Sequence, residues 1–442
     1  MNFKQRINQF RSKLDVHSLE VLVSSSKSMI VKVVGMIAGL MSSVILARTI
    51  GVEGVGAVNL INKYGAILLV FSLFGFRQVV VKYVAIAKSK KRYQDVFSTV
   101  KISLLFNGGL SIIIAGIGAI SLPWIIHLFS DNQDLYYPFL IGYFMLIPQT
   151  LARIFAAALN GYGKIWQSNL VDQALGSIIL LIALSVFWMF NIPLTTISVL
   201  LLYALSRVLQ LGTIWLVWKH YFKFKINNKE KLKLQPLLKM GLPMLLVSST
   251  VVLASNIDSI MLGSLASIHD LGLYSIAARL ALLNSFFLIV SNAAIGPKIA
   301  KLYDNNSNGD LSIMVKNTTK TLICIALISL LIFVLFGKYI LNFWGSEFIY
   351  AYPILITLSI GQFFNISTGC SGLLLTMTGH EKVHGYISLS SLLVNIILNI
   401  VLISKYGALG AATATAITIS LENITKLLFV KKKTGIMILG FK

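Results

Sequence analysis

With Lys82 and Lys101 at run ends and the Glu422–Lys426 pair set aside, nine ionisable side chains stand out inside long apolar runs of this 442-residue sequence: Lys27, Lys32, Lys63, Arg77, Arg153, Asp172, Arg207, Asp258 and Arg279. A charge in hydrocarbon is costly, and it is retained where it has a partner or faces a wet, protein-lined space. Seven of the nine are basic, so pairing among them cannot cancel the excess. The sum is an electropositive lining suited to an anionic ligand, and pyrophosphate is a natural candidate. Depth sorts the set. Lys27 and Arg77 lie near the cytoplasmic ends of their runs, where long side chains snorkel. Arg153 and Asp172 flank one turn at similar depth and read as a structural ion pair. Lys32, Lys63, Arg207 and Arg279 sit roughly 10 Å or more from an end. They are the candidate substrate-binding cations, with buried pairing or helix anchoring as the alternative. Asp258, near the outer end of its run, is the candidate for gating or ion coupling, and a structural pair with Arg279 is its plainer reading.

Amides such as Gln149, Asn256, Asn395 and Asn399 can bond sugar hydroxyls, but they also hold helices together. Cys324 and Cys370 lack metal-ligand spacing, and His127, His269, His380 and His384 lie in or near expected loops. No metal, cofactor or catalytic residue is expected: there is no nucleophile motif and no Gly-rich phosphate loop. Glu422 and Lys426, four apart, can satisfy each other.

The elements that must carry these residues are membrane helices. The chain is 56% hydrophobic and 12% charged, with mean hydropathy +0.82, against about a quarter charged in soluble domains. Runs near 21–47, 57–82, 99–121, 136–160, 165–190 and 193–218 are followed by a second set near 237–262, 272–297, 316–337, 349–376, 383–404 and 407–430. The fold class expected is an all-α polytopic membrane protein of about twelve transmembrane helices, in two six-helix lobes around a central cavity. The lobes would be residues 1–218 and 237–430, joined by a basic cytoplasmic linker, 219–236, and followed by a cytoplasmic tail, 431–442. Most of the +23 net charge falls on one set of loops, among them Lys4, Arg6, Arg11 and Lys13, Lys88 to Arg92, and Lys431 to Lys433. That asymmetry puts both termini in the cytoplasm and makes the basic balance a membrane signal, not a nucleic-acid one.

The halves repeat weakly at one gapless offset of 216 residues: Gly56 with Gly272, Lys63 with Arg279, Leu159 with Leu375, Gly163 with Gly379. Six spans per half make the repeat parallel, with its axis along the membrane normal. Lys63 and Arg279 would then face the cavity from opposite lobes.

Three passages carry a family resemblance. Leu46-Ala-Arg-Thr-Ile-Gly-Val-Glu-Gly-Val-Gly56, with Phe74-Gly-Phe76, is similar to the first hairpin of Wzx-type polysaccharide flippases of the MOP superfamily, which also contains the MATE transporters. Asn256-Ile-Asp-Ser-Ile-Met-Leu-Gly263, running into Leu271-Gly-Leu-Tyr-Ser-Ile-Ala-Ala-Arg-Leu280, resembles the start of that family's second half. Tyr406-Gly-Ala-Leu-Gly-Ala-Ala-Thr-Ala-Thr-Ala416 looks like its last span. The resemblance covers essentially the whole chain. It implies alternating-access translocation of undecaprenyl-pyrophosphate-linked oligosaccharide repeat units (O-antigen, lipopolysaccharide or capsule precursors) from the cytoplasmic to the outer leaflet of a bacterial inner membrane. It also implies a lipid-linked substrate, a polysaccharide polymerase and glycosyltransferases as pathway partners, and cationic cavity residues, which Lys32, Lys63, Arg207 and Arg279 could supply. Two alternatives share the fold: a MATE-like drug or cation antiporter, which would set carboxylates against its cargo, and a lipid II flippase, usually of fourteen spans. An enzyme of the same pathway would normally need a sizeable outer loop, and the outer connections here are short.

Overall fold

The computed structural model describes residues 16–127, 129, 135–222 and 234–438. Lys4, Arg6, Arg11 and Lys13, positions 223–233 of the expected linker and Lys442 lie outside the described residues. Among the described residues, ten helical stretches are long and apolar enough to cross a bilayer. Two of them are too long for one crossing. Helix α1, Val16–Leu73, has 58 residues, about 87 Å if straight, against a hydrocarbon core of about 30 Å. It breaks at Gly51, whose φ of 70° places it in the left-handed region, between the β-branched Ile50 and Val52, which would resist that backbone. Gly35 packs on Ala174 while Arg77 reaches Asp172, so the chain has returned to its starting level. Two arms fold back there.

The chain continues through α2 (Phe76–Ser89), α3 (Tyr93–His127), α4 (Tyr136–Gly161), α5 (Ile165–Asn169), a π-helical turn (Leu170–Leu175), α6 (Gly176–Met189) and α7 (Thr196–Tyr221). The second half holds α8 (Leu234–Leu265), α9 (Ile268–Leu283), α10 (Ser285–Asp304), α11 (Asn308–Asn342), a 3-10 turn (Ser346–Ala351), α12 (Tyr352–Ser367), α13 (Ser371–Met377) and α14 (Glu381–Thr434). The last, 54 residues long, breaks at Gly407 (φ 53°). Asn399 and Thr415 would lie about 24 Å apart on a straight helix, yet both bond Asp258. With α1 and α14 each folded in two, the ten stretches supply twelve crossings, as the hydropathy pattern predicts. Four expected spans carry interruptions that pattern did not show. The span at 57–82 is broken by Phe74 and Gly75, both with positive φ, that at 272–297 by Asn284, that at 165–190 by the π turn, and that at 349–376 between Ser367 and Ser371, where Gly369 has a φ of 63°.

The repeat at 216 residues is visible in the backbone. In one turn Gly163 N–H bonds the Asn160 carbonyl and Lys164 N–H the Leu159 carbonyl; in its counterpart Gly379 N–H bonds Thr376 and His380 N–H bonds Leu375. The two glycines share a left-handed φ, 83° and 80°. Asn191 and Gly407, also 216 apart, have φ of 50° and 53°. Equivalent residues thus make equivalent bonds, as an internal duplication requires.

The described chain forms two compact units. One joins the residues before Ile50 to Gly65–Ile125 and to the stretch ending at Ser249; the other joins Ile50–Tyr64 and Ile126 to everything from Thr250 onward. Packing therefore assigns the outer part of the first hairpin to the second unit, and the dividing line departs from the sequence halves. In the first unit, Phe76, Val79, Val80, Val84 and Ala87 recur at helical three- and four-residue spacing along α2. They pack against Ile154, Ala157 and Ala158 of α4, with Phe76 stacked on Phe106 at 5.0 Å. The second unit has a core of Ile299, Leu311, Val315, Leu374, Leu375 and Val430, and a smaller one around Leu322, Ala326 and Ile366.

Candidate functional site

In the second unit the candidate site starts from a glycine contact. A Cβ on Gly56 would strike the carbonyl oxygen of Ile268, and one on Gly272 would strike that of Val52. Lys63 and Arg279 each lie seven residues beyond one of these glycines. Seven residues are close to two full helical turns, so each cation shares its glycine's helix face about 10 Å further along. The Lys63 ammonium interacts electrostatically with both Arg279 and Asp258. Lys63 is half-buried and Arg279 exposed although it lies eleven residues into its span. A guanidinium facing lipid at that depth would be heavily penalised, so its surroundings must be wet or anionic when the protein is in a bilayer.

Asp258, whose carboxylate acts electrostatically on Lys63, sits in a cage of neutral donors. Tyr274 Oη donates to its Oδ2 at 3.2 Å, Thr415 Oγ1 to the same oxygen at 2.6 Å, and Asn399 Nδ2 to Oδ1 at 2.7 Å. Asn399 Nδ2 also donates to Asn395 Oδ1 at 3.0 Å. The cage draws on α8, α9 and both arms of α14, and the fold at Gly407 lets one helix supply Asn395, Asn399 and Thr415.

The first unit holds its own charged cluster. Asp172 pairs with Arg77 at 2.9 Å and with Arg153 at 2.9 Å, its side chain only 2% exposed. Asp172 lies within the π-helical turn, where the wider winding leaves a backbone carbonyl to be met, and Gln210 Nε2 bonds the Val171 oxygen. Arg207 donates to Gln210 Oε1 at 3.2 Å, and with the Gln149 amide turned to present its oxygen, Arg207 lies 3.2 to 3.3 Å from that oxygen too. This side chain is fastened to amides, with Arg153 and Asp172 close enough to act on it electrostatically.

The sequence-derived residues therefore divide. Lys63, Arg279 and Asp258 all belong to the second unit, where the contact of Gly56 and Gly272 joins the hairpins that carry the two cations. Arg207 belongs to the first unit with Arg77, Arg153 and Asp172. Lys32, exposed on the first arm of α1, is in that unit as well. Arg153 and Asp172 pair as their spacing predicts. Arg77 is an ion-pair partner of Asp172, not merely a snorkelling end residue, and Lys27 lies 6.0 Å over the Trp166 ring. Glu422 and Lys426 bond at 2.7 Å. The search for intramembrane charges missed Tyr274 and Thr415, which carry no charge and sit in a common Leu-Tyr-Ser and an Ala/Thr run. Asn395 and Asn399, one helical turn apart, were the available signal.

A family model described as polysaccharide biosynthesis protein matches residues 22–303, and a MatE model matches residues 243–401. Among curated proteins, capsular polysaccharide biosynthesis protein CapF of Staphylococcus aureus is 27% identical over 220 residues, 49% of this chain and 55% of that protein. The chain thus matches about half of CapF's length. The membrane protein MJ1068 of Methanocaldococcus jannaschii is 23% identical over 88% of this chain and 80% of its own. Among solved structures, an inward-facing multidrug resistance MATE family transporter of the MOP superfamily aligns with TM-score 0.70 at 16% identity, covering 92% of this chain and 98% of that one. The lipid II flippase MurJ, in an inward closed conformation, aligns with TM-score 0.70 at 17% identity, covering 93% and 87%. At such identities the likeness concerns the fold.

Proposed function

The chain belongs to the polysaccharide biosynthesis protein family, as a multi-pass membrane protein with the MOP-superfamily fold, and from that premise we propose that it is a flippase for undecaprenyl-pyrophosphate-linked oligosaccharide repeat units. The observation that carries the reading is that Lys63 and Arg279, on helices joined by the Gly56–Gly272 contact, act on each other electrostatically at membrane depth. Two cations acting on one another repel, and an anionic ligand relieves that repulsion. A pyrophosphate supplies several charged oxygens, and arginine can take two of them with parallel N–H bonds.

The proposed mechanism follows from solvation. Each sugar hydroxyl costs several kcal/mol in hydrocarbon without a hydrogen-bond partner, so unassisted crossing is slow. The protein supplies the polar lining and leaves the polyprenyl tail in lipid. Lys32 and Arg207 are proposed to serve as further cations of the substrate path, and the two halves, 1–218 and 237–430, to alternate access from the cytoplasmic to the outer leaflet. The location proposed is a bacterial inner membrane with both termini cytoplasmic, beside the glycosyltransferases that build the repeat unit and the polymerase that consumes it. No step of this account makes or breaks a covalent bond. A MATE-like antiporter is the second reading, favoured by the MatE match and by one carboxylate, Asp258, in the second unit.

Reconstitution tests the proposal. Proteoliposomes loaded with a fluorescent polyprenyl-pyrophosphate oligosaccharide should expose it on the opposite leaflet, and Lys63→Ala or Arg279→Ala should abolish the transfer. Equal rates for a neutral glycolipid, unaffected by both changes, would defeat it.

A further inference from the structure

We propose that the first unit carries, at its basic membrane boundary, a pocket for the phosphodiester headgroup of an anionic phospholipid, built from Lys82, Arg92, Asp95 and Thr99. The pocket has a volume of about 230 Å³ and opens between α2, the start of α3 and the start of α8, with Ile86, Ala87 and Met240 as its apolar side. Lys82 ends the expected span 57–82, and Arg92 immediately precedes α3. The pocket therefore lies where headgroups meet hydrocarbon, and basic pockets between helices at that level suit lipid phosphates. It is separate from Lys63 and Arg279, which belong to the second unit.

The internal repeat shows that the space is particular to one half. At the 216-residue offset, Ala87, Asp95 and Thr99 correspond to Tyr303, Leu311 and Val315. Leu311 and Val315 are fully buried in the apolar core of the second unit, with Tyr303 packed against it. One copy of the fold thus fills this place with a ring, a leucine and a valine. The other has an alanine, a carboxylate and a hydroxyl. Exchanging apolar core for an ion pair gains little stability, so the exchange points to a ligand. Lys82 is matched by Lys298: the cation recurs in both halves, whereas the polar pocket beside it is a feature of the first.

Charge and shape select the ligand. Arg92 Nε lies 3.0 Å from Asp95 Oδ2, which orients the guanidinium and leaves its terminal N–H groups for two oxygens of one phosphate. Lys82 adds a second cation on a flexible stem. Two cations and one carboxylate leave a single positive charge, which a phosphodiester monoanion balances. The volume admits a phosphate with its glycerol carbons and is too small for an oligosaccharide. Ile86, 39% exposed, continues the apolar side toward the bilayer, where the acyl chains of the same lipid would lie. A soluble phosphate ester has no use for that surface.

A bound headgroup would touch α2, α3 and α8 together, so its binding should stabilise the folded chain by mass action. The inference does not depend on the flippase reading.

The test uses the purified full chain in neutral detergent, without glycolipid, titrated with phosphatidylglycerol or phosphatidylcholine. Melting temperature and native mass spectrometry report retained lipid. A saturable rise in both with phosphatidylglycerol is expected, and little change with phosphatidylcholine. Lys82→Ala and Arg92→Ala should each weaken apparent affinity about tenfold, while Lys82→Arg should keep it. Ala87→Tyr places the ring of the second half in the pocket and should abolish binding with every charge in place. Lys298→Ala removes an equal charge at the counterpart position and should leave binding unchanged. Equal retention of the two lipids would overturn the pocket. So would equal losses in Lys298→Ala and Lys82→Ala, which would leave only diffuse attraction to a basic surface. Displacement of the lipid by an equal concentration of soluble glycerol 3-phosphate would overturn the lipid assignment in favour of a soluble ester.

Discussion

Gly56 and Gly272 approach each other's hairpins reciprocally: Gly56 meets the carbonyl of Ile268, Gly272 meets that of Val52, and both pairs of equivalents are 216 residues apart. The contact is self-complementary within one chain, as the interface of a symmetric dimer is between two. It also sets the register of the helices that carry Lys63 and Arg279.

Substituting either glycine by alanine should therefore have nearly the same effect, a loss of about 1 to 3 kcal/mol from forced separation of backbones. Thermal unfolding in detergent checks this. Gly65→Ala is the control, since nothing lies within 4 Å of a Cβ there, and it should change stability by no more than about 1 kcal/mol.

The Asp172 cluster predicts an asymmetry of cost. Asp172→Ala removes the acid that two arginines share and strands both, so it should cost about 3 to 5 kcal/mol. Arg153→Ala should cost less, because Arg77 still pairs with the carboxylate. Unfolding of the purified variants separates these outcomes, and equal losses would argue against a shared acid.

Lys63 and Arg279 are expected to act as charges on the transported anion. Lys63→Arg and Arg279→Lys should keep partial transport, the second with more loss because a lysine cannot offer two parallel N–H bonds. Both alanine variants should fail at normal protein abundance. The double change Asp258→Ala with Arg279→Ala supplies the opposing case: recovery of abundance and transport would make the two a structural pair.

Much of the fold was legible because the bilayer demands long apolar helices, and the +23 charge is distributed by the same constraint. The breaks were harder to see. Gly51 and Gly407 stand in loops that hydropathy marks, whereas Phe74, Asn284 and the π turn lie inside unbroken apolar runs, where hydropathy carries no signal. The site was legible in its charges: Lys63, Asp258 and Arg279 were found by the cost of burying them. Which of them share a body was not, since that depends on glycines whose role is close approach. Tyr274 and Thr415 were invisible because a hydroxyl in a helix is cheap and common.

Orientation is open to direct measurement. Reporter fusions after Lys442 and within residues 227–231 should read cytoplasmic, and one after His269 should read external, from the asymmetry of Lys and Arg. A C-terminus on the opposite side from residues 227–231 would contradict the even number of crossings, and both outside would reverse the orientation.

The central claim, that the chain moves lipid-linked repeat units between leaflets, is tested most directly by labelling each leaflet in cells from which the gene is deleted. The account predicts lipid-linked oligosaccharide accumulating on the cytoplasmic leaflet and loss of the surface polymer, both restored by the unaltered gene and not by Arg279→Ala. Normal export in the deletion strain, with altered resistance to toxic cations instead, would contradict it.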